Sequence, residues 1–294
     1  MKISVSSYSF QQYIKAGKLT QLTAIAEAAR LGFEGIEFTD LKPDVNQTPT
    51  YEEQLAYARE LRAEAERVGI QIVGYMIGAN LYRGSEELNR AEIERLKGQV
   101  DLAAEMGASL LRHDICYSEK TDGRVTSYDK MLPTIAAAAR EITEYAATKG
   151  IRTCTENHGL IAQDADRLEK LFNAVDHENY GLLVDMGNFA CADEDSARAV
   201  SRLAPYAIHA HAKDFKIYPF GTEVDPALRS FTSRGCNRLV GCALGDGDIP
   251  SRQCVAILKR AGYDGWMTIE FEGNGDCIEE ITKGIARLKE YVAE

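Results

Sequence analysis

The chain has no C-x-x-C pair among its seven cysteines, which stand at 116, 154, 191, 236, 242, 254 and 277. An odd, scattered set of this kind indicates neither a disulfide framework nor a cysteine-held zinc site, so reduced thiols are expected. No run approaches the eighteen or so apolar residues needed to span a bilayer. The opening Met1-Lys-Ile-Ser-Val-Ser-Ser-Tyr8 also lacks the apolar stretch of a secretory leader, so a soluble cytoplasmic protein is expected. Basic residues are outnumbered 34 to 45, and the net charge of −11 argues against nucleic acid and acidic membranes as partners. No linker is visible that would split the 294 residues, so one domain over 1–294 is expected. Nor does a G-x-G-x-x-G follow the first strand, which counts against an open dinucleotide-binding sheet. Gly245-Asp-Gly-Asp-Ile-Pro250 is a lone G-x-G, read as turn chemistry before a proline-started helix.

What is present centres on Ala207-Ile-His209-Ala-His211-Ala-Lys213-Asp214, where three titratable side chains recur at a spacing of two. In an extended strand they share a face, with His209 deepest, His211 nearer the strand's C-terminal end and Lys213 at the rim. Three further strand-like runs each end in a carboxylate: Ile151 to Glu156, Gly181 to Asp185 and Trp266 to Glu270.

Along the chain, strand-like and helix-like segments alternate. Helical spacing marks 51–68, 86–106, 128–149, 164–175, 195–204, 250–261 and 277–292, besides a first helix carrying Leu22, Ile25 and Ala29. Gly32, Gly69, Gly107, Gly150 and Gly262 each fall where a helix gives way to a strand, a place that favours a left-handed cap. Eight such units predict an α/β chain folded as a single (β/α)8 TIM barrel, with an open doubly wound sheet as the alternative.

The barrel gives the polar strand ends one address, because the active site of this architecture lies at the C-terminal mouth. Glu156, Asp185, His211 and Glu270 would project from the ends of strands five to eight as neighbours. Three crowded carboxylates repel one another, so one divalent cation is the expected reason for their convergence. A site of oxygens with one imidazole and no thiolate suits Mn²⁺ or Mg²⁺ first, with Co²⁺ or Zn²⁺ also accommodated.

Glu156-Asn-His158-Gly, Leu183-Val-Asp185-Met-Gly-Asn188, His209-Ala-His211-Ala-Lys213-Asp214 and Trp266-Met-Thr-Ile-Glu270 resemble the sequence blocks of the xylose isomerase-like TIM barrel superfamily of sugar isomerases and epimerases. The resemblance runs over most of the chain. It implies Glu156, Asp185, His211 and Glu270 as metal ligands, with Glu156 and Glu270 doubling as the acid/base pair of the ketose 3-epimerase branch. It implies His158, Asn188 and Lys213 as substrate contacts. Those epimerases usually carry histidine where this chain has Asn188, and an arginine beyond the metal-binding histidine where it has Lys213, Lys216 and Ile217.

The expected chemistry is proton abstraction beside a carbonyl through an enediolate, on a small sugar or polyol that the metal holds by adjacent oxygens. A carbohydrate isomerase or epimerase comes first. Second is a metal-dependent lyase of the same superfamily, such as an inosose or dehydroshikimate dehydratase or a subunit that cleaves carbon glycosides. A DNA repair endonuclease comes third, disfavoured by the acidic composition. Tyr8, Glu37, Tyr75, His113 and Asp114 lie near the ends of the first four strands, and His113 is retained among them as a candidate substrate contact. Phe215 to Ile249 is far longer than an ordinary βα loop. Its prolines and glycines suggest several short turns, folded over the mouth or against a neighbouring subunit of a homo-oligomer. Arg229, Arg234 and Arg238 within it are read as solvated surface residues rather than an anion site.

Overall fold

The computed structural model describes residues 1–121 and 123–294. The chain begins with β1 (Lys2–Ser6), α1 (Gln11–Lys15), α2 (Gln21–Arg30), β2 (Gly35–Thr39), α3 (Tyr51–Val68), β3 (Gln71–Ile77), α4 (Glu86–Met106) and β4 (Leu110–His113). A short antiparallel pair, β5 (Lys120–Thr121) with β6 (Arg124–Val125), precedes α5 (Tyr128–Ala147). Then come β7 (Arg152–Glu156), α6 (Ala165–Val175), β8 (Tyr180–Asp185), α7 (Ser196–Leu203) and β9 (Ala207–Ala212). The last part comprises β10 (Asp214–Tyr218), β11 (Phe231–Thr232), β12 (Arg238–Cys242), α8 (Ser251–Arg260), β13 (Trp266–Ile269) and α9 (Cys277–Ala293). Eight of the strands, all parallel, close in the order β1-β13-β9-β8-β7-β4-β3-β2, with β1 paired to both β13 and β2. This is the barrel that the repeated units imply. Among the described residues no helix is long and apolar enough to cross a membrane.

Local chemistry sets the element ends. The five junction glycines all adopt positive φ, between 71° and 85°. Gly69 and Gly107 cap α3 and α4 directly, returning their N–H groups to Ala65 and Ala103 oxygens. At the mouth side, Thr50 and Glu53 form a capping box, and Ser85, Asp164, Asp195 and Asp276 accept backbone N–H groups at the starts of α4, α6, α7 and α9.

The barrel interior is divided. Met76, Leu110, Cys154 and Leu183 form an apolar plug against which Ile208 packs. The remainder is polar, with Ser4, Glu37, His209 and Thr268 all buried. Two register shifts make this possible, one between Ile36 and Glu37 against β3 and one between Leu182 and Leu183 against β9. The second resets the alternation of β9, so that Ile208 reaches the plug while the adjacent His209 reaches the polar cluster.

Two elements differ from expectation. Alternation over residues 2–9 predicts a first strand of that length, but it stops at Ser6, whose hydroxyl accepts the Tyr8 N–H and starts a 3₁₀ turn over Ser7–Phe10, which places Tyr8 at the mouth. The long segment is a three-stranded antiparallel sheet, β10-β12-β11, as well as turns. Its strands pair from Asp214↔Cys242 to Tyr218↔Arg238, and Phe215 and Leu239 are fully buried beneath. The apolar and aromatic alternation of these short runs outweighs the turn residues between them.

The Gly-Asp-Gly-Asp-Ile-Pro motif wraps one carboxylate. Asp214 accepts the N–H groups of Phe215, Gly245, Gly247 and Ile249 at 2.7–3.2 Å. A Cβ at Gly247 would lie 2.2 Å from Asp214 Oδ1 and 2.5 Å from the Phe215 oxygen, so this position admits only glycine. Gly247→Ala is expected to cost about 1–3 kcal/mol, a fall of several degrees in thermal midpoint. An unchanged melting curve would refute the tight cradle.

Candidate metal centre and active site

Glu156 and Asp185 end β7 and β8, His211 is the penultimate residue of β9, and Glu270 follows β13. Their ligand atoms all lie within 4.8 Å of one another. His211 Nδ1 stands 3.7 Å from Glu156 Oε1, 3.7 Å from Asp185 Oδ2 and 3.8 Å from Glu270 Oε2. Donors bound to a common ion at about 2.0–2.2 Å are themselves roughly 3–4 Å apart, so the spacing fits. His211 Nδ1 is also buried without a hydrogen-bond partner, a costly state that a cation would relieve, and Asp185 Oδ2 has no hydrogen bond and meets only the Lys213 ammonium at 3.2 Å.

Asp185, Glu156 and His211 are oriented by contacts from outside the cluster. Asp185 Oδ1 accepts the N–H groups of Gly187 and Asn188 at 2.8 and 3.1 Å, leaving Oδ2 for the cluster. Gly187 permits this turn because a Cβ there would come within 2.9 Å of the Lys213 backbone oxygen. Asn157 exchanges two hydrogen bonds with the Asp185 backbone and so staples the ends of β7 and β8 together. Glu156 is held at both oxygens: Asn188 Nδ2 donates to Oε1 at 2.8 Å, and Arg112 Nη2 contacts Oε2 at 2.5 Å. His211 Nε2 faces Glu37.

Two buried cations balance the carboxylates. Lys213 Nζ pairs with Glu270 and lies 3.2 Å from Asp185 Oδ2, 3.3 Å from Glu272 Oε1 and 3.1 Å from Asn188 Oδ1. Arg112 also pairs with Asp114 at 3.0 Å, and Asp114 Oδ1 is 2.9 Å from His158 Nδ1. Burial would raise Asp114, but Arg112 and His158 bring it down to about 2. Burial would likewise raise Asp185, yet Lys213 and His211 hold it well below the usual carboxylate range. Glu156 remains above that range, because burial outweighs the pull of Arg112. Lys213 stays firmly protonated, since Asp185 and Glu270 overcome its desolvation.

These groups open into a cavity of about 700 Å³, lined among others by Tyr8, Arg112, His158, Asn188, Lys213 and Glu272. Phe231 and Thr232 of β11 form part of its wall, so the antiparallel sheet covers one side of the mouth. Arg229 Nη2 donates to the Tyr8 hydroxyl at 2.8 Å, and that hydroxyl donates to Glu272 Oε2 at 3.2 Å. Arg234 contacts Asp164 and the Leu160 oxygen, and Arg238 contacts Ser230 and Thr232. Arg229 and Arg234 tie the sheet to the barrel, while Arg238 braces β12 against β11.

The sequence-derived candidates thus divide. Glu156, Asp185, His211 and Glu270 come together, and His158, Asn188 and Lys213 border the same cavity. His113 does not. It neighbours Arg112 on β4 and so faces the other way, with Nδ1 against the Asp114 carbonyl at 2.9 Å and Nε2 buried without a partner. Tyr8 and Asp114 line the cavity, whereas Tyr75 bonds Gln99 and Glu37 lies inside the barrel. Arg112 is not among the sequence-derived candidates, although the strand that the sequence predicts over Ser109 to Arg112 ends on it and its parity could have placed it inward.

Residues 25–291 match the family model described as xylose isomerase-like TIM barrel. An inosose dehydratase from Clostridium perfringens (strain 13 / Type A) is 25% identical over 282 residues, covering 92% of this chain and 88% of that protein. Among solved structures, a D-psicose 3-epimerase from Clostridium cellulolyticum H10 with D-tagatose superposes with a TM-score of 0.75 at 16% identity, over 99% of each chain. A xylose isomerase-like TIM barrel protein from Mycobacterium smegmatis, in complex with magnesium, gives 0.67 at 19% identity over 99% of this chain and 97% of that one.

Proposed function

The chain belongs to the xylose isomerase-like TIM barrel family, and from that premise we propose that it is a divalent-metal-dependent enzyme that removes the proton beside the carbonyl of a sugar or cyclitol and then expels water. The observation that carries the reading is the convergence of four strand-end side chains, in which His211 Nδ1 has no hydrogen-bond partner and Asp185 Oδ2 meets only the Lys213 ammonium, beside a sugar-sized cavity. A divalent ion, Mn²⁺ or Mg²⁺ by the hardness of the donors, would supply positive charge against the negative charge that develops on the carbonyl oxygen.

The side chains divide the remaining tasks. Glu270 sits at the rim with its carboxylate against Lys213, placed to take the proton while the ammonium steadies its charge, and then to return it to the departing hydroxyl, which leaves as water as its C–O bond breaks and the C=C bond forms. Glu156 is fixed by Arg112 and Asn188. His158, held by Asp114, and the Tyr8–Glu272 pair offer hydrogen bonds for substrate hydroxyls.

The sequence places epimerisation first; two observations move dehydration ahead of it. Epimerisation requires proton exchange on both faces of one carbon, and Glu156 has both oxygens engaged, whereas elimination needs one mobile base. The inosose dehydratase relative also matches along most of its length. Epimerisation stands as the second reading, supported by the two carboxylates that flank His211 Nδ1 at nearly equal distances. Screening keto-sugars and ketocyclitols with the Mn²⁺-loaded protein, following both loss of water and new stereoisomers, separates the two. Dehydrated product is expected, and clean interconversion of epimers without it would favour the second.

A further inference from the structure

We propose that Glu37 is the positioning residue of the metal centre: it reaches across the barrel to hold the Nε2–H of His211, so that Nδ1 is presented bare to the ion. The inference rests on the metal site proposed above.

Glu37 lies on β2 and His211 on β9, with β1 and β13 between them in the ring. Their contact is therefore made through the barrel interior, not between paired strands. Glu37 and His211 are both essentially without solvent exposure. His211 Nε2 is 3.0 Å from Glu37 Oε1 and 3.3 Å from Oε2. His209 Nε2 lies 2.9 Å from Oε2 and 3.0 Å from Thr268 Oγ1, which in turn shares a hydrogen bond of 2.6 Å with Ser4. One carboxylate thus meets two imidazoles, and a carboxylate only accepts. Each Nε2 facing it must carry the proton.

For His211 the consequence is directional. With hydrogen on Nε2, the lone pair resides on Nδ1, the atom that faces Glu156, Asp185 and Glu270 and has no other partner. A histidine that binds a metal commonly gives its other N–H to a carboxylate, which orients the ring and strengthens the donor. The register shift at Ile36/Glu37 occurs at the same residue, as a device that aims one side chain into the interior would require. The alternative that Glu37, His209 and His211 hold a second ion conflicts with the hydrogen bonds of 2.9 and 3.3 Å that His209 Nε2 and His211 Nε2 make to the one oxygen Glu37 Oε2, which leave Oε1 beside His211 Nε2 at 3.0 Å without a hydrogen bond of its own.

Two measurements on the purified protein test the assignment without reference to turnover. In ¹⁵N spectra of the Zn²⁺-loaded wild type, His211 is expected with Nε2 protonated and Nδ1 ligated. Ligation through Nε2 overturns the proposal whether or not any variant folds. Mn²⁺ affinity, read from free Mn²⁺ by electron paramagnetic resonance, should fall by about 10–100-fold in Glu37→Gln, the range for loss of a carboxylate behind a ligand. Thr268→Val disturbs the same core without touching the Glu37–His211 contact and should keep wild-type affinity. Equal loss in both variants would mean general loosening of the core and would sink the idea. Unchanged affinity in Glu37→Gln, or two ions per wild-type chain, does so as well. A wild type that binds neither ion removes the metal site itself, an outcome distinct from one that binds normally but ignores Glu37.

Discussion

Asp185→Asn will leave the barrel folded but unable to keep a divalent ion, and turnover will disappear with the ion. The amide is the informative replacement because Asp185 has two separate duties. Its Oδ1 accepts the Gly187 and Asn188 N–H groups, a task an amide oxygen performs equally well. Its Oδ2 faces the cluster without a hydrogen bond, and there the amide presents N–H groups that cannot ligate. Alanine would confound the two, since it also strands two backbone donors at about 1–3 kcal/mol each. Loss of a direct ligand should lower Mn²⁺ affinity by more than the ~10–100-fold typical of a residue behind one. Ion binding to the folded state alone stabilises it by about 2.7 kcal/mol at a hundredfold excess over Kd, so saturating Mn²⁺ should raise the wild-type melting midpoint by roughly 5–10 °C. The variant should show no such rise. His211→Ala should behave in the same way. Full metal content after dialysis in either variant would remove the site from these four residues.

Why some of this was legible in the sequence and some was not follows from the range over which each feature is encoded. A carboxylate at the end of an apolar run is local information. Glu156, Asp185 and Glu270 each stand at such an end, and the eightfold repetition of strand and helix then brings the ends together. His113 shows how sharp the limit is: a shift of one residue along β4 turns the side chain to the opposite face, and Arg112 takes the place at the cavity. The Arg112–Glu156 pair joins neighbouring strands whose register depends on tilt and closure, which no periodicity in either strand records. Glu37 is further removed still, because its partners lie across the closed ring. In the long segment, glycines and prolines mark turns plainly, while strands of two to five residues are too short to announce themselves.

In heavy water, substrate recovered part-way through turnover is expected to carry deuterium at the carbon beside the carbonyl, and Glu270→Gln should abolish that exchange along with activity. A carboxylate base passes the proton through a group that equilibrates with solvent, whereas a hydride shift moves hydrogen between carbons without exchange. Removing a positioned base lowers the rate by about 10²–10⁴-fold. Glu270 is the residue for which the larger figure is expected, since its carboxylate reaches the rim and is opposed chiefly by the Lys213 ammonium. Glu156→Gln should differ in kind. Its carboxylate is clasped by Arg112 at one oxygen and Asn188 at the other, so it is a fixed ligand more than a mobile base. Product formation should suffer, but the α-proton should still wash out. If Glu156→Gln stops the exchange and Glu270→Gln spares it, the two roles are reversed. If both stop it, the pair act on opposite faces and the epimerase reading gains. Where expulsion of water outruns return of the proton, the same question is answered by substrate deuterated at that carbon, which should turn over more slowly. Recovered substrate free of deuterium, together with no such slowing, would overturn proton abstraction as the first step.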